Sequence, residues 1–155
     1  MKNKFPMLLL IAVFFLSCDK KEDDPKAEDP KTVLITASAW KYENSGVDFP
    51  VNGTIDAPLP FPLPACGTDN FLTLAVNGTG TVDEGPTKCD PLLPQSTPAN
   101  WSFASNQTVL NLGGSGFFGI SGQFKILELS ATKLHLSKDT TAAGIPVAII
   151  IQLKH

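Results

Sequence analysis

The sequence predicts an all-β fold over residues 32–155, either an antiparallel barrel or a small sandwich. No segment after Thr32 has the apolar periodicity of a helix of useful length, and glycine, proline, asparagine and threonine recur every few residues. Between them lie clusters of β-branched and aromatic residues in which apolar and polar positions alternate. Leu72 and Leu74 share one strand face in this way, as do Leu134 and Leu136.

The clusters predict eight strand segments, the sixth of them either one bent strand or two. Asn77-Gly78 is typical of a type I′ hairpin turn. The alternation changes phase between Ile126 and Leu127, which predicts a bulge after which Leu127 and Leu129 face inward. The segments are Val33–Tyr42, Phe71–Val76, Gly80–Asp83, Trp101–Ala104, Thr108–Leu112, Phe117–Leu129, Lys133–Ser137 and Pro146–Leu153.

Two further segments are expected to be loops. Proline at every second position of Ala57–Ala65 excludes a helix and a central strand, so this run should be extended and form a stiff lid or rim. Gly113–Gly116 lacks the lysine and the following helix of a phosphate-binding loop and predicts a flexible hairpin loop.

The N-terminal 17 residues read as a secretory signal peptide. Lys2 and Lys4 precede the apolar run Phe5–Leu16, which is shorter than the roughly 20 residues that a transmembrane helix needs. Phe15-Leu16-Ser17-Cys18 then resembles the lipobox of bacterial lipoproteins, in the relaxed form of the Bacteroidetes type. The resemblance implies that residues 1–17 are removed and that Cys18 carries lipid, including an amide-linked acyl chain such as palmitate, which would anchor the protein to the outer membrane.

Residues 18–31 are predicted to be a disordered tether, because nearly every residue from Asp19 onward is charged or proline. Acidic residues directly after the lipidated cysteine resemble an export tag of Bacteroidetes-type lipoproteins. The tag implies the cell surface, slightly favoured here over the periplasmic face of the membrane.

The charge pattern excludes one class of partner. The chain has a formal charge of −3, which becomes −5 when Lys2 and Lys4 leave with the signal, and it contains no arginine. Because phosphate-backbone binding needs a basic patch, nucleic acid is not expected as a partner.

Cys66 and Cys89 form an even pair in a chain bound for an oxidising compartment, so a disulfide is expected. A metal site is the alternative, but the pair lacks a CxxC spacing and a neighbouring histidine. Neither a metal nor a cofactor is predicted.

The order of landmarks along the chain resembles the lipocalin-like domains of small Bacteroidetes-type lipoproteins, over most of Thr32–His155. The landmarks are Trp40, Cys66-x-x-Asp69-Asn70, Cys89, Trp101-x-Phe103 and Leu134-x-Leu136. The resemblance implies an antiparallel barrel, closed or partly open, whose apolar interior either holds a small ligand or is filled by side chains. The same residues would line a ligand cavity or form a solid core, namely Trp40, Leu72, Leu74, Trp101, Leu134, Leu136, Ile149 and Ile151.

The sequence does not predict an enzyme. Of the two histidines, His135 falls on the polar face of its strand and is expected to be solvated, and His155 is expected to fray at the C-terminus. Four carboxylates flank the cysteine pair and could form an acid pair or a weak calcium site, although loop carboxylates are most often solvated; they are Asp69, Asp83, Glu84 and Asp90.

Asp139-Thr140-Thr141 resembles an O-glycosylation sequon of these bacteria, which implies modification of Thr140 in a loop. The function expected is that of a membrane-anchored protein that binds a small apolar ligand or another envelope component. The alternative is a solidly packed domain that acts through its surface as an accessory or adhesion protein.

Overall fold

A computed structural model describes residues 28–155, with the backbone alone for residues 115–117. The predicted signal peptide, Cys18 and most of the predicted tether lie outside the described residues. Within the described part of the chain, no helix is long and apolar enough to cross a membrane.

Residues 28–155 form two short helices and nine strands. The elements are α1 (Pro30–Thr36), β1 (Trp40–Asp48), β2 (Ala57–Pro58), α2 (Ala65–Thr68), β3 (Phe71–Leu74), β4 (Thr79–Asp83), β5 (Ser96–Ala104), β6 (Val109–Phe117), β7 (Ile120–Leu129), β8 (Lys133–Ala142) and β9 (Ile145–Lys154).

Eight of the strands close into an antiparallel barrel. Strands β3 to β9 pair in chain order, and β1 pairs with both β3 and β9, while two-residue β2 adds to β1 outside the ring. The predicted all-β antiparallel barrel is therefore confirmed, and it is closed rather than partly open. The eight barrel strands and the buried cluster described here lie within residues 28–155.

The strand predicted at Val33–Tyr42 is wrong over its first half, which forms α1. The carboxylate of Asp29 accepts hydrogen bonds from the backbone N–H groups of Lys31 and Thr32, and Pro30 occupies the first helical turn. These are favoured start signals of a helix. They outweigh the β-branched residues that suggested a strand, and α1 includes the last two residues of the predicted tether.

Helix α1 closes one end of the barrel. The side chain of Ile35 is fully buried in the core, and the indole Nε1 of Trp40 donates to the Ile35 carbonyl at 2.8 Å. Lys31 Nζ also donates to the carbonyl of Gln107, in the β5–β6 connection, at 2.9 Å. Because strands alternate in direction, the β3–β4, β5–β6 and β7–β8 connections all lie at this closed end.

The predicted β3–β4 turn and the predicted β7 bulge both form, but each differs from the prediction in one respect. The β3–β4 turn is closed by Gly78 N–H donating to the Ala75 carbonyl, and only Gly78 in this turn has a positive φ, at 82°. A type I′ turn centred on Asn77-Gly78 would need a positive φ at both, so that assignment is wrong. The β7 bulge is confirmed between Ile126 and Glu128, but Leu127 is the extra residue and is exposed rather than inward.

The predicted glycine loop at Gly113–Gly116 is also wrong, because these residues continue β6. Gly113 and Gly114 pair with Asn100 and Ala99 of β5. A Cβ at Gly114 would lie 2.6 Å from the Pro98 carbonyl oxygen, so glycine permits this close approach. The β6–β7 turn falls instead at Phe118 and Gly119, both with positive φ.

A loop formed by Phe49–Asp56, here called the outer loop, lies on the outside of the barrel. The buried carboxylate of Asp48 accepts from the N–H groups of Asn52 and Gly53, both at 2.8 Å. The loop lies so close to β1 that a Cβ at Gly46 would come 2.3 Å from the side chain of Ile55. The outer loop therefore buries part of the outer barrel face, where Ile150 pairs with Gly46 and is 1% exposed.

Candidate functional site

A cavity of about 370 Å³ lies at the end of the barrel opposite α1. We call it the mouth cavity. Four connections meet at this end: the β1–β3 segment with α2, the β4–β5 loop, and the β6–β7 and β8–β9 turns. Its apolar lining comes from Leu63, Pro64, Val82, Leu93 and Phe118, and disulfide-bonded Cys89 also lines it.

The mouth cavity has few polar groups in its lining. They belong to Asn70, Glu84 and Thr97. With its amide nitrogen facing two carbonyls, buried Asn70 donates to Glu84 O at 2.9 Å and to Cys66 O at 3.0 Å. Asn70 thus joins α2 to the β4–β5 loop, and the cavity wall is an ordered structure rather than a free loop.

The disulfide between Cys66 and Cys89 is confirmed, with Cα atoms 5.1 Å apart. It ties α2 to the β4–β5 loop across the mouth. Closing a loop of this length stabilises a fold by roughly 3 kcal/mol in the chain-entropy account. A second tie runs beside it, because Asp69 Oδ2 accepts from the N–H of Thr87 at 3.1 Å.

Phe118 extends from the β6–β7 turn toward the barrel axis. Its ring lies edge-on to the ring of Tyr42, with centroids 5.3 Å apart, and a Cβ on Gly67 of α2 would touch it at 4.0 Å. Such edge-to-face pairs contribute about 0.5–1.5 kcal/mol beyond burial. Phe118 therefore forms a wall between the packed interior and the open end.

The predicted run of alternating prolines forms one rim of this end. Ala57 and Pro58 form β2 against β1, Leu63 and Pro64 line the mouth cavity, and Phe61 between them is 85% exposed. Leu92 of the β4–β5 loop is 93% exposed on the same end. The run thus lies at the rim as expected from its sequence, but it is not extended throughout, because it bends at Pro60 and Phe61 and its last residue, Ala65, begins α2.

The four flanking carboxylates each accept hydrogen bonds from the segments around the disulfide. Hydrogen bonds from Ser96 Oγ, Gln95 Nε2 and Gly85 N–H lower the pKa of Asp83, the bond from Ser96 most strongly. Glu84 Oε2 accepts from Cys89 N–H at 3.4 Å. Among the residues that the structure describes, no three His, Cys, Asp or Glu side chains converge in a way that could hold a metal ion.

The eight residues predicted to line a ligand cavity pack together in the barrel interior. Seven belong to one buried cluster, and Ile149 is partly buried against it. Trp101, for example, is 8% exposed, donates from Nε1 to the Ala75 carbonyl at 2.9 Å and stacks edge-on with Phe103. The described lining of the mouth cavity includes none of the eight.

The two histidines and Thr140 lie outside the described lining of the mouth cavity. His135 lies on the outer face but is only 15% exposed in its side chain, and its Nδ1 is 3.1 Å from Glu128 Oε2. His155 is not frayed, because its ring stacks against Trp40 at the closed end. Thr140 is exposed, but it lies within β8 rather than in a loop. Its predicted glycosylation stays a prediction.

No family model matches the chain, and no curated protein matches it. The structure is similar to bovine odorant binding protein, a lipocalin solved in complex with a selenium-containing odorant, with a TM-score of 0.40 and 15% sequence identity over 84% of this chain and 75% of that chain. The strand pairing of the chain itself shows the barrel.

Proposed function

We propose that this barrel is a binding protein for a small apolar molecule, which it holds in the mouth cavity. One observation carries the proposal. The barrel is closed by α1 at one end, and at the other end it opens into a cavity with five apolar lining residues and few polar ones. A volume of about 370 Å³ falls within the range of small-molecule sites.

The arrangement favours binding over catalysis. Two of the three polar side chains described in the lining hold the wall together, since Asn70 bridges two carbonyls and Glu84 accepts from Cys89. A few fixed polar groups on an apolar wall orient a ligand, whereas catalysis needs titratable groups that converge on a reacting atom.

The test is direct binding of a neutral apolar fluorophore, N-phenyl-1-naphthylamine, to residues 28–155 expressed with the disulfide formed. Leu93→Asp should weaken binding by about tenfold or more, because a carboxylate in the apolar lining must lose hydration. Leu92→Asp is the matched control: Leu92 is the neighbouring leucine of the same loop, is 93% exposed and is absent from the described lining. It should change affinity by less than about twofold. Equal effects of the two variants would sink the proposal.

We further propose that Cys18 carries the lipid anchor and that the barrel stands on the outer membrane, at its periplasmic face or at the cell surface. The sequence around Cys18 supports this. Metabolic labelling with an alkyne analogue of palmitate should tag the wild-type chain and leave Cys18→Ser unlabelled. Protease added to intact cells should then cut the barrel if it is displayed at the surface and spare it if it faces the periplasm.

A second candidate function is favoured by the packed interior and by the exposed apolar side chains of Phe61 and Leu92 at the rim. Here the rim would contact another envelope protein. Leu92→Asp separates the candidates, because it should abolish partner binding and leave fluorophore binding unchanged.

A further inference from the structure

Strands β7 and β8 pair along only half of their lengths. Their pairing runs from Leu129–Leu134 at the closed end to Lys125–Ser137. Above that point β8 continues along β9 as far as Ala142, and β7 continues along β6 as far as Ile120, but the described upper halves of β7 and β8 do not pair with each other.

A cleft of about 350 Å³ lies where the two strands part, and we call it the lateral cleft. It is separate from the mouth cavity, and the two share no described lining residue. The strands contribute Gln123, Phe124, Lys125, Ser137, Lys138 and Asp139 to its lining.

Lys138 spans the lateral cleft. It alternates with Leu134 and Leu136 along β8 and so points toward the barrel interior. Its Nζ donates to the Ser121 carbonyl on β7 and lies 5.1 Å from the centroid of the Phe124 ring. A Cβ on Gly122 would come within 2.9 Å of this Nζ, so the ammonium occupies the space that glycine leaves.

Lys138 is a partly buried cation that forms no ion pair in the described part of the chain. Within residues 28–155, the ion pairs of lysine join Lys125 to Asp139 and Lys154 to Glu43, and Lys138 is in neither. The Lys125–Asp139 pair, at 2.7 Å, also lines the cleft, and its positive and negative charges cancel. The cleft therefore keeps one net positive charge, in a region that contains seven lysines and eleven aspartates and glutamates.

We propose that the lateral cleft binds a small carboxylate with a short apolar body. The carboxylate would accept a charge-assisted hydrogen bond from Lys138 Nζ in place of the neutral Ser121 carbonyl, because ionic partners make the stronger bond. The apolar body would lie toward Phe124, while Gln123 and Ser137 offer further hydrogen-bonding groups. A volume near 350 Å³ is at the lower end of ligand sites, which limits the ligand to a small molecule.

The test compares phenylacetate, phenethylamine and 2-phenylethanol, which share an aromatic body and differ in the charge of the head group. Each is titrated into the full chain, labelled with ¹⁵N-lysine and held in zwitterionic lipid nanodiscs. The amide signals of Lys125 and Lys138 are followed by NMR and assigned by their loss in single variants. Phenylacetate should shift both signals saturably, with at least about tenfold higher affinity than the amine or the alcohol.

Variants decide the role of the cation. Lys138→Met, read on the Lys125 signal, should lower phenylacetate affinity by about tenfold or more. Lys133→Met is the matched control, because Lys133 is an exposed lysine of the same strand outside the cleft lining, and it should change nothing. Asp139→Asn removes the carboxylate beside Lys138 and should tighten binding, an increase that unfolding could not produce.

Three results would overturn the proposal: no saturable shift with phenylacetate, equal binding of the amine, or unchanged affinity in Lys138→Met. Failure of the mouth cavity to bind a fluorophore would leave the lateral cleft unaffected, because the two sites are read by different probes and variants.

Discussion

The imidazole of His155 lies against the indole of Trp40, with ring centroids 3.7 Å apart, so the last residue of the chain packs on the first residue of the barrel. The backbone N–H of His155 also donates to the Thr132 carbonyl at 3.2 Å. His155→Ala should therefore lower the free energy of unfolding by about 1–2 kcal/mol, through loss of the ring contact and of cover over Trp40. Urea unfolding would measure this. Lys154→Ala, which removes an exposed and long ion pair, should cost less than about 0.5 kcal/mol.

Helix α1 should stabilise the barrel through one side chain. Ile35→Ala should lower the free energy of unfolding by about 2–4 kcal/mol, because Ile35 is fully buried and the closed end would keep a void. Val33→Ala is the matched control in the same helix, since Val33 is 46% exposed, and it should cost less than about 1 kcal/mol. Equal costs in urea unfolding would show that α1 does not plug the barrel.

The disulfide should matter for both stability and binding. Changing Cys66 and Cys89 together to serine should lower the free energy of unfolding by about 3 kcal/mol, since the open chain gains loop entropy. It should also weaken fluorophore binding, because α2 and the β4–β5 loop carry opposite parts of the mouth cavity wall. Reduction of the wild-type protein with dithiothreitol should reproduce both effects. A stable double variant with unchanged affinity would contradict this account of the wall.

Acid should remove the stabilising contribution of Asp83. Its pKa is lowered in the folded protein, chiefly by Ser96, so the ionised carboxylate stabilises the fold above the ordinary pKa near 4, and this contribution is lost as the pH falls below that value. Asp83→Asn should destabilise the protein at pH 6 relative to wild type, and the difference should shrink between about pH 4 and 2. Ser96→Ala should show the same trend more weakly. A difference that is constant across this range would contradict the assignment.

The outer loop should be sensitive to a single methyl group on β1. Gly46→Ala would place a Cβ 2.3 Å from the Ile55 side chain and 2.5 Å from the Ala57 carbonyl oxygen, so the loop must move. We expect a loss of about 1–3 kcal/mol on urea unfolding, with faster hydrogen exchange at the amides of Asn52 and Gly53. An unchanged exchange rate at these two amides would show that the outer loop is not held against β1.

Much of the barrel was predictable because its strands carry a period of two. β3, β7 and β8 were located from alternation, β4 from the Asn77-Gly78 turn before it, and the bulge in β7 from the change of phase at Ile126. Helix α1 was missed for a physical reason. Residues 32–36 are rich in β-branched residues, while the start signals of α1 stand just before them, in a segment that otherwise looks like a tether.

The candidate sites were less predictable. The cysteine pair followed from composition, but the mouth cavity is built by loops whose residues have no period, so Leu93 and Phe118 gave no signal. The burial of Ile150 was hidden because Val147–Ile151 is continuously apolar and its outer face is covered by a distant loop. The lateral cleft exists because the upper halves of β7 and β8 do not pair, and the sequence of neither strand alone predicts that separation.

The separation of β7 from β8 also bears on solubility. A barrel whose strands pair along their whole lengths has no free strand edges, whereas the unpaired upper halves of β7 and β8 expose two short edges that could pair with strands of another molecule. Charged side chains stand at this opening, with Lys125 and Lys138 on its two sides and Lys138 reaching across to Ser121. Lysine at an exposed edge opposes edge-to-edge association, because pairing would bury its charge. Lys138, which would attract a small anion, thus also opposes the joining of neighbouring copies of the barrel through this opening.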